Sequence, residues 1–327
     1  MHNNTHTYNF LLNNKLIYPS IRLLDQQIHA HAKQTKRRFS LPNSGSDLLW
    51  EKASTFDVAL YGDALMFPPK IINWPRKNFR LWFLSRAMRK IFAHVCALPE
   101  SDFGLLARHS LFPRSPSPTP LPSLQGACEF VFAGQLSRYK SAEQLGIFLR
   151  EIKSKGGTPR LHICGANQIP KGLELLKKAA RDTEVIDHGD LGIDWTKQFS
   201  QRSTYISLSL APSEDFGVSL AQAQQAGLPV IVSDWGGHRD ARGENVYTIS
   251  HRAIEAKHHM LSTLTKAASA PLEEEAPGRV FSWSELSLIS EEMLKTYSLF
   301  ELNYANSRLL SPKIKRLLLS CFSDPDR

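Results

Sequence analysis

Between residues 211 and 227 the chain reads APSEDFGVSLAQAQQAG. Pro212 and Ser213 end an apolar run, Glu214 follows in a loop, and Gly217 opens a segment with helical composition. The first amides of such a helix, on Gly217, Val218 and Ser219, have no carbonyl to bond within the helix. They can therefore hold an anion such as a diphosphate. Asp215 and Phe216 join them to Glu214. A loop carboxylate at this point has two readings: an acceptor of hydrogen bonds from sugar hydroxyls, or a helix-start acid favoured by the macrodipole. Gln222 lies eight positions beyond Glu214, about two turns along at 3.6 residues per turn.

Three further loops follow apolar runs. In AGQLSRYK (133–140), Gly134 permits a tight turn, Gln135 follows it, and Lys140 stands near the next helix start, either as a phosphate binder or as a solvated lysine. In CGAN (164–167), Gly165 marks another turn and carries little information alone. In SDWGGHRD (233–240), Gly236 and Gly237 allow close backbone approach. His238 reads as a ring stacked on a ligand or, more commonly for a lone loop histidine, as an exposed polar residue.

Positioning these loops requires alternating strands and helices, and from residue 129 the sequence supplies them. Strands are expected at 129–134, 160–165, 184–189, 204–210 and 228–234, with helices at 141–155, 172–181, 195–202 and 217–227. Near-continuous apolar strands between helices define a parallel sheet covered on both faces, with ligands bound beyond the carboxyl ends of the strands. Before it, FPRSPSPTPLPSLQG (112–126) has five prolines and reads as a linker. Earlier still, a strand is expected at 56–63, a helix at 78–92, a strand at 94–98 and a short helix after Ser101.

The chain has 327 residues, 42% hydrophobic and 22% charged, which fits two globular domains and excludes a disordered chain. No membrane-spanning run and no secretory signal are read, and the four scattered cysteines form no metal or disulfide pattern. A cytoplasmic setting follows, with peripheral membrane association as an added expectation. Residues 1–125 hold 16 Lys and Arg against 7 Asp and Glu, while the remainder holds 24 of each, so the whole net charge of +9 lies in the first part. That excess suits phosphate, nucleic acid or an anionic membrane. Placed on a helical wheel, residues 76–95 divide into an apolar face and a basic face with Arg80, Arg86, Arg89 and Lys90, among which Trp82 and Phe83 stand exposed. This combination suits a membrane interface or an acceptor-side surface; a solvated basic face with two half-buried aromatics is the plainer reading, and nucleic acid the competing partner.

Taken in chain order, Phe132–Lys140, Leu161–Gly165, Pro212–Ala223 and Ala226–Gly237 resemble the C-terminal half of GT-B fold glycosyltransferases, in the large retaining family called GT4 or group 1. Phe281, Ser282 and Trp283 resemble the opening of that family's C-terminal helix. The resemblance implies an α/β, GT-B-like fold of two Rossmann-like doubly wound domains facing a cleft, the N-terminal one abbreviated. The implied divisions are an acceptor-side domain at 1–125, a nucleotide-sugar domain at 126–280 and a helical tail at 281–327 packing back toward the first domain. It also implies a retaining transferase that uses a nucleotide-diphospho-sugar (UDP- or GDP-sugar) as co-substrate, with no tightly bound cofactor and no metal. The acceptor would be a glycan or a lipid-linked molecule, and nucleic acid ranks below it. By this resemblance Lys140 holds the diphosphate, Glu214 meets the sugar and Gln222 faces the ribose. Gly134, Gln135, Gly165, Asp215, Phe216, Gly217, Val218 and Ser219 complete the donor side. Gln135 stands where the family has arginine, Gln222 where it has a second glutamate, and the first part lacks the family's glycine-rich loop. A non-catalytic binding protein of the same fold is the second function class.

Overall fold

The computed structural model describes residues 7–10, 19–34, 38–39, 55–60, 78–137, 140–165, 170–199, 202–211, 214–267, 275, 277–282, 284–285 and 288. Pro212, Ser213, Trp283 and most of the expected helical tail lie outside these residues. The chain divides into one unit of Met1–Leu111 with Glu273–Arg327, and a second of Phe112–Leu272.

The first unit contains β1 (Thr7–Phe10), the helix Pro19–Gln34, β2 (Arg38–Phe39), β3 (Thr55–Leu60), β4 (Asn78–Phe83), the helix Arg86–Cys96, β5 (Gly104–Leu105) and the short helix Arg108–Leu111. Its strands lie in the order β2-β1-β3-β4-β5, all parallel. This is a doubly wound order. Phe281 returns to pair with Phe79 in an antiparallel bridge, and its ring stacks on Phe103 at 5.4 Å. Just beyond, Ser282 and Glu285 form a capping box. The Ser282 amide donates to Glu285 Oε2 at 2.8 Å and the Glu285 amide to Ser282 Oγ at 3.4 Å.

Here the structure corrects the basic amphipathic helix expected at 76–95. The segment splits into β4 and the helix Arg86–Cys96, and Trp82 and Phe83 are fully buried. Neither aromatic is available to a membrane. β4 runs between β3 and β5, and its second half, Leu81–Phe83, is buried on both faces, so outward and inward residues there are apolar alike. A short apolar run of that kind has no periodicity to separate strand from helix. The helix begins only after Ser85, whose hydroxyl accepts from the Met88 amide at 3.3 Å as an N-cap. It buries Met88, Ile91 and Phe92, leaves Lys90 exposed and keeps Arg86 and Arg89 partly exposed, as is Arg80 in β4. The strand expected at 94–98 is the end of this helix and its left-handed turn at Ala97. The helix expected after Ser101 is a 3-10 turn, Glu100–Asp102, followed by β5.

The second unit begins with residues 112–125, which form no strand or helix. Then come β6 (Gly126–Ala133), the helix Ala142–Ser154, β7 (Gly157–Cys164), the helix Pro170–Ala180, β8 (Glu184–Asp187), a 3-10 segment Gly192–Gln198 and β9 (Thr204–Ser207). The helix Val218–Gln225, β10 (Val230–Ser233), β11 (Val246–Ile249), the helix His251–Ala256 and β12 (Thr265–Lys266) complete it. The sheet order is β12-β11-β10-β9-β6-β7-β8, parallel except for β12, which pairs antiparallel with β11. Counted from β6, the parallel strands follow the order 3-2-1-4-5-6, and the direction of winding reverses between β6 and β9. One apolar layer, with Phe130, Phe148, Leu161 and Ile206, covers one face; a second, with Val131, Tyr205, Leu220 and Val232, covers the other. The expected α/β class with parallel, doubly wound sheets is the architecture of both units.

Candidate functional site

The crevice beyond β6 and β9 is where a sheet of this order binds a ligand. Two loops enter it, one after each strand. The loop after β6 carries Gly134 and Gln135, both exposed, then Leu136 and Ser137, both buried, and then Lys140. The Lys140 amide donates to Ser137 Oγ at 3.3 Å. Gly134 has φ 137° and Gly165 has φ 149°. A Cβ on Gly165 would meet the Gly134 carbonyl oxygen at 2.6 Å, so the turns after β6 and β7 pass against one another and need glycine there.

The loop after β9 brings Glu214 across the strand reversal to Lys140. Lys140 Nζ lies 2.6 Å from Glu214 Oε2, joining groups 74 residues apart in the chain. The other carboxylate oxygen, Oε1, lies 3.5 Å from His238 Nε2. The Glu214 side chain is 5% exposed, that of His238 1% and that of Lys140 38%. Burial pushes the Glu214 carboxyl up. Lys140, His238 and a hydrogen bond from Ser209 outweigh it and hold the group down at about 2. An ionised carboxylate can be kept in this dry place only because cations and donors surround it.

Around this pair the backbone is tightly fixed. The Gly237 amide donates to the Glu214 carbonyl at 2.8 Å, and the Trp235 indole donates to the Ala211 carbonyl at 3.0 Å. Ser233 Oγ donates to the Ser209 carbonyl at 2.7 Å and lies 2.9 Å from His238 Nδ1. Asp215 and Phe216 are buried, Phe216 against Phe112 at 5.6 Å between ring centres. Gly217, at φ 65°, enters the helix Val218–Gln225, which has no side-chain cap. Val218 is buried, and Ser219 Oγ lies 2.9 Å from the Tyr205 hydroxyl.

Gln222 is committed elsewhere. Its Oε1 accepts from the Trp195 indole at 3.1 Å and its Nε2 donates to the Ile193 carbonyl at 2.6 Å. The amide thus ties the helix Val218–Gln225 to the segment Gly192–Gln198, where the sequence led us to expect a regular helix at 195–202. Sequence reasoning brought Lys140, Glu214 and Gly217 forward. It missed Ser209, Ser233 and Trp195, and it read His238 as more commonly exposed. The close glycine pair before His238 was the available signal that this loop packs inward. Among the described residues no group of three or more His, Cys, Asp or Glu could hold a metal ion, and no helix is long and apolar enough to cross a membrane.

Residues 127–266 match the family model described as glycosyl transferases group 1. The matched span lies within the second unit and includes Lys140, Glu214 and His238. A search of the curated proteins finds no match. Among solved structures, the chain is similar to a glycosyltransferase from Rickettsia africae ESF-5, at 12% identity and TM-score 0.47 over 94% of this chain and 100% of that one. It is also similar to the lipopolysaccharide outer core galactosyltransferase WaaB in its apo form, at 13% identity and TM-score 0.46 over 93% and 100%. A third likeness is to the catalytic domain of starch synthase IV from Arabidopsis thaliana bound to ADP and acarbose, at 10% identity and TM-score 0.39 over 90% and 78%. At these values none of their substrates transfers to this chain.

Proposed function

We propose that the chain is a glycosyltransferase that takes its sugar from a nucleotide-diphospho-sugar, with UDP- and GDP-sugars as the donor class. The observation that carries this reading is the Lys140–Glu214 pair, which spans the strand reversal of the second sheet beside an uncapped helix start. A diphosphate is a dianion that needs fixed positive charge and N–H donors. The Lys140 ammonium and the amides from Gly217 to Ser219 supply both. Glu214, ionised and nearly enclosed, accepts from the hydroxyls of the transferred sugar. As the sugar–phosphate bond breaks, negative charge gathers on the departing diphosphate, where the same ammonium and amides stabilise it. Transfer with retention follows when the acceptor hydroxyl attacks from the face the phosphate leaves, passing its proton to a phosphate oxygen. The 126–280 region holds the donor and the 1–125 region serves the acceptor, glycan or lipid-linked. Lys90, exposed on the helix Arg86–Cys96, is the basic residue of this segment offered to an acceptor or anionic surface once Trp82 and Phe83 are assigned to the core, while Arg89 lies 3.6 Å from Glu100.

The test is calorimetry with UDP- and GDP-sugars followed by transfer and donor-hydrolysis assays on the wild type and Glu214→Ala. Loss of turnover in the variant with nucleotide still bound supports the assignment; undiminished sugar transfer refutes it. One observation favours a second reading. The Gln222 amide is used inside the protein, which suits a subunit that binds a nucleotide without turning it over. Binding of a nucleotide-sugar by the wild type with neither hydrolysis nor transfer would select it.

A further inference from the structure

His238 lies in the second unit and has no part in the scheme above. It is 1% exposed, and its two ring nitrogens face partners of different kinds. Ser233 has one hydroxyl hydrogen, and the carbonyl of Ser209, 2.7 Å away, can only accept it. Toward His238 Nδ1, at 2.9 Å, the serine oxygen can therefore only accept, so Nδ1 carries a hydrogen. That bond fixes the ring plane. Nε2 is thereby held 3.5 Å from Glu214 Oε1, the oxygen that Lys140 does not touch.

The two neighbours of the carboxylate differ in freedom. Lys140 has a long stem and a head 38% exposed; His238 is locked among Ser233 and buried backbone. On the reading that Lys140 serves the donor diphosphate, its ammonium must be shared with the phosphate oxygens when donor binds. Glu214 would then lose its closest anchor at the moment its aim matters. We infer that His238, protonated on both ring nitrogens, is the positioning residue that keeps the Glu214 carboxylate aimed at the sugar while Lys140 turns to the diphosphate. The lysine serves the donor, and the histidine, which touches no substrate, serves the glutamate. This inference rests on the proposed donor site.

Two measurements test it, one of them independent of turnover. In protein labelled with 15N at histidine, with the ring signals assigned through His238→Asn, both nitrogens of His238 should carry hydrogens at pH 7. The Nε2 signal should move in Glu214→Gln. A bare Nδ1 or a bare Nε2 overturns the inference, whatever the protein catalyses. The second measurement is hydrolysis of UDP-glucose or GDP-glucose, whichever the wild type accepts. His238→Asn keeps the bond to Ser233 but cannot reach Glu214; it should lower kcat on the order of 10–100-fold with little change in KM. His238→Gln keeps an N–H toward Glu214 and should lose distinctly less. Equal losses in the two variants, or losses that track melting temperature alone, overturn the positioning role. A wild type that binds neither UDP nor GDP defeats the donor reading, and the ring spectrum still decides whether His238 holds Glu214.

Discussion

A Cβ built on Gly237 would overlap the carbonyl oxygen of Asp215. The β10 loop and the β9 loop therefore touch backbone to backbone, and the amide of Gly237 bonds the Glu214 carbonyl at that contact. Only a residue without a side chain permits it. We expect Gly237→Ala to force the Glu214 loop away, lowering stability by about 1–3 kcal/mol and abolishing transfer. Denaturant unfolding together with the donor-hydrolysis assay checks both. Wild-type turnover in Gly237→Ala would show that the contact does not set the position of Glu214.

Acid should expose the electrostatics of the same loop. The Glu214 carboxyl sits at about 2 in the folded protein against 4.5 for the free group. A carboxyl whose folded pKa is depressed stabilises the fold above its unfolded value, and that contribution is lost as pH falls through the folded value. The window thus runs from pH 4.5 down to about 2. Across it the wild type should lose on the order of 3 kcal/mol through this group. Glu285, also held down at about 2, adds to the same slope from the other unit. Comparing Glu214→Gln with the wild type in urea unfolding at successive pH values isolates the first contribution, and equal slopes would refute it.

The Gln222 amide offers a sharper chemical test. A carboxylate in its place would still accept from the Trp195 indole but would set an oxygen against the Ile193 carbonyl, where Nε2 now donates. We expect Gln222→Glu to cost about 1–3 kcal/mol and to loosen the segment Gly192–Gln198. Hydrogen exchange at those amides is the readout.

Burial of Trp82 separates core from surface in the first unit. Trp82→Ala should destabilise by roughly 3–5 kcal/mol through the cavity it leaves. Lys90→Glu, on the exposed side of the next helix, should leave the melting temperature nearly unchanged. If the basic residues meet anionic lipid, Lys90→Glu should weaken flotation with anionic vesicles, whereas a stable protein carrying Trp82→Phe should float as the wild type does.

The sequence made much of the second sheet legible because β6 and β7 are apolar runs closed by glycine turns and the helices that follow them carry regular apolar stripes. It was silent where burial is two-sided and short. Phe79 to Phe83 looks the same as a helix turn until its neighbours β3 and β5 are known. A different kind of information was missing for His238. Whether a loop imidazole points outward or inward depends on the Ser209–Ser233 bond, made between the segment just after β9 and the end of β10, which the sequence shows only as separate runs. Gln222 was legible as a polar helix residue, yet its partners Ile193 and Trp195 lie in a segment too irregular to place beforehand.

The last strand of the second sheet is short, runs opposite to its neighbour and ends in Lys266, while the far margin is β8 with exposed Glu184 and Asp187. A row of unpaired amides and carbonyls at a sheet margin is a template on which another chain can grow. Here one margin is occupied by a reversed two-residue stub and the other is fringed with carboxylates, so copies of this unit at high concentration meet a strand too short to extend at one edge and like charge at the other.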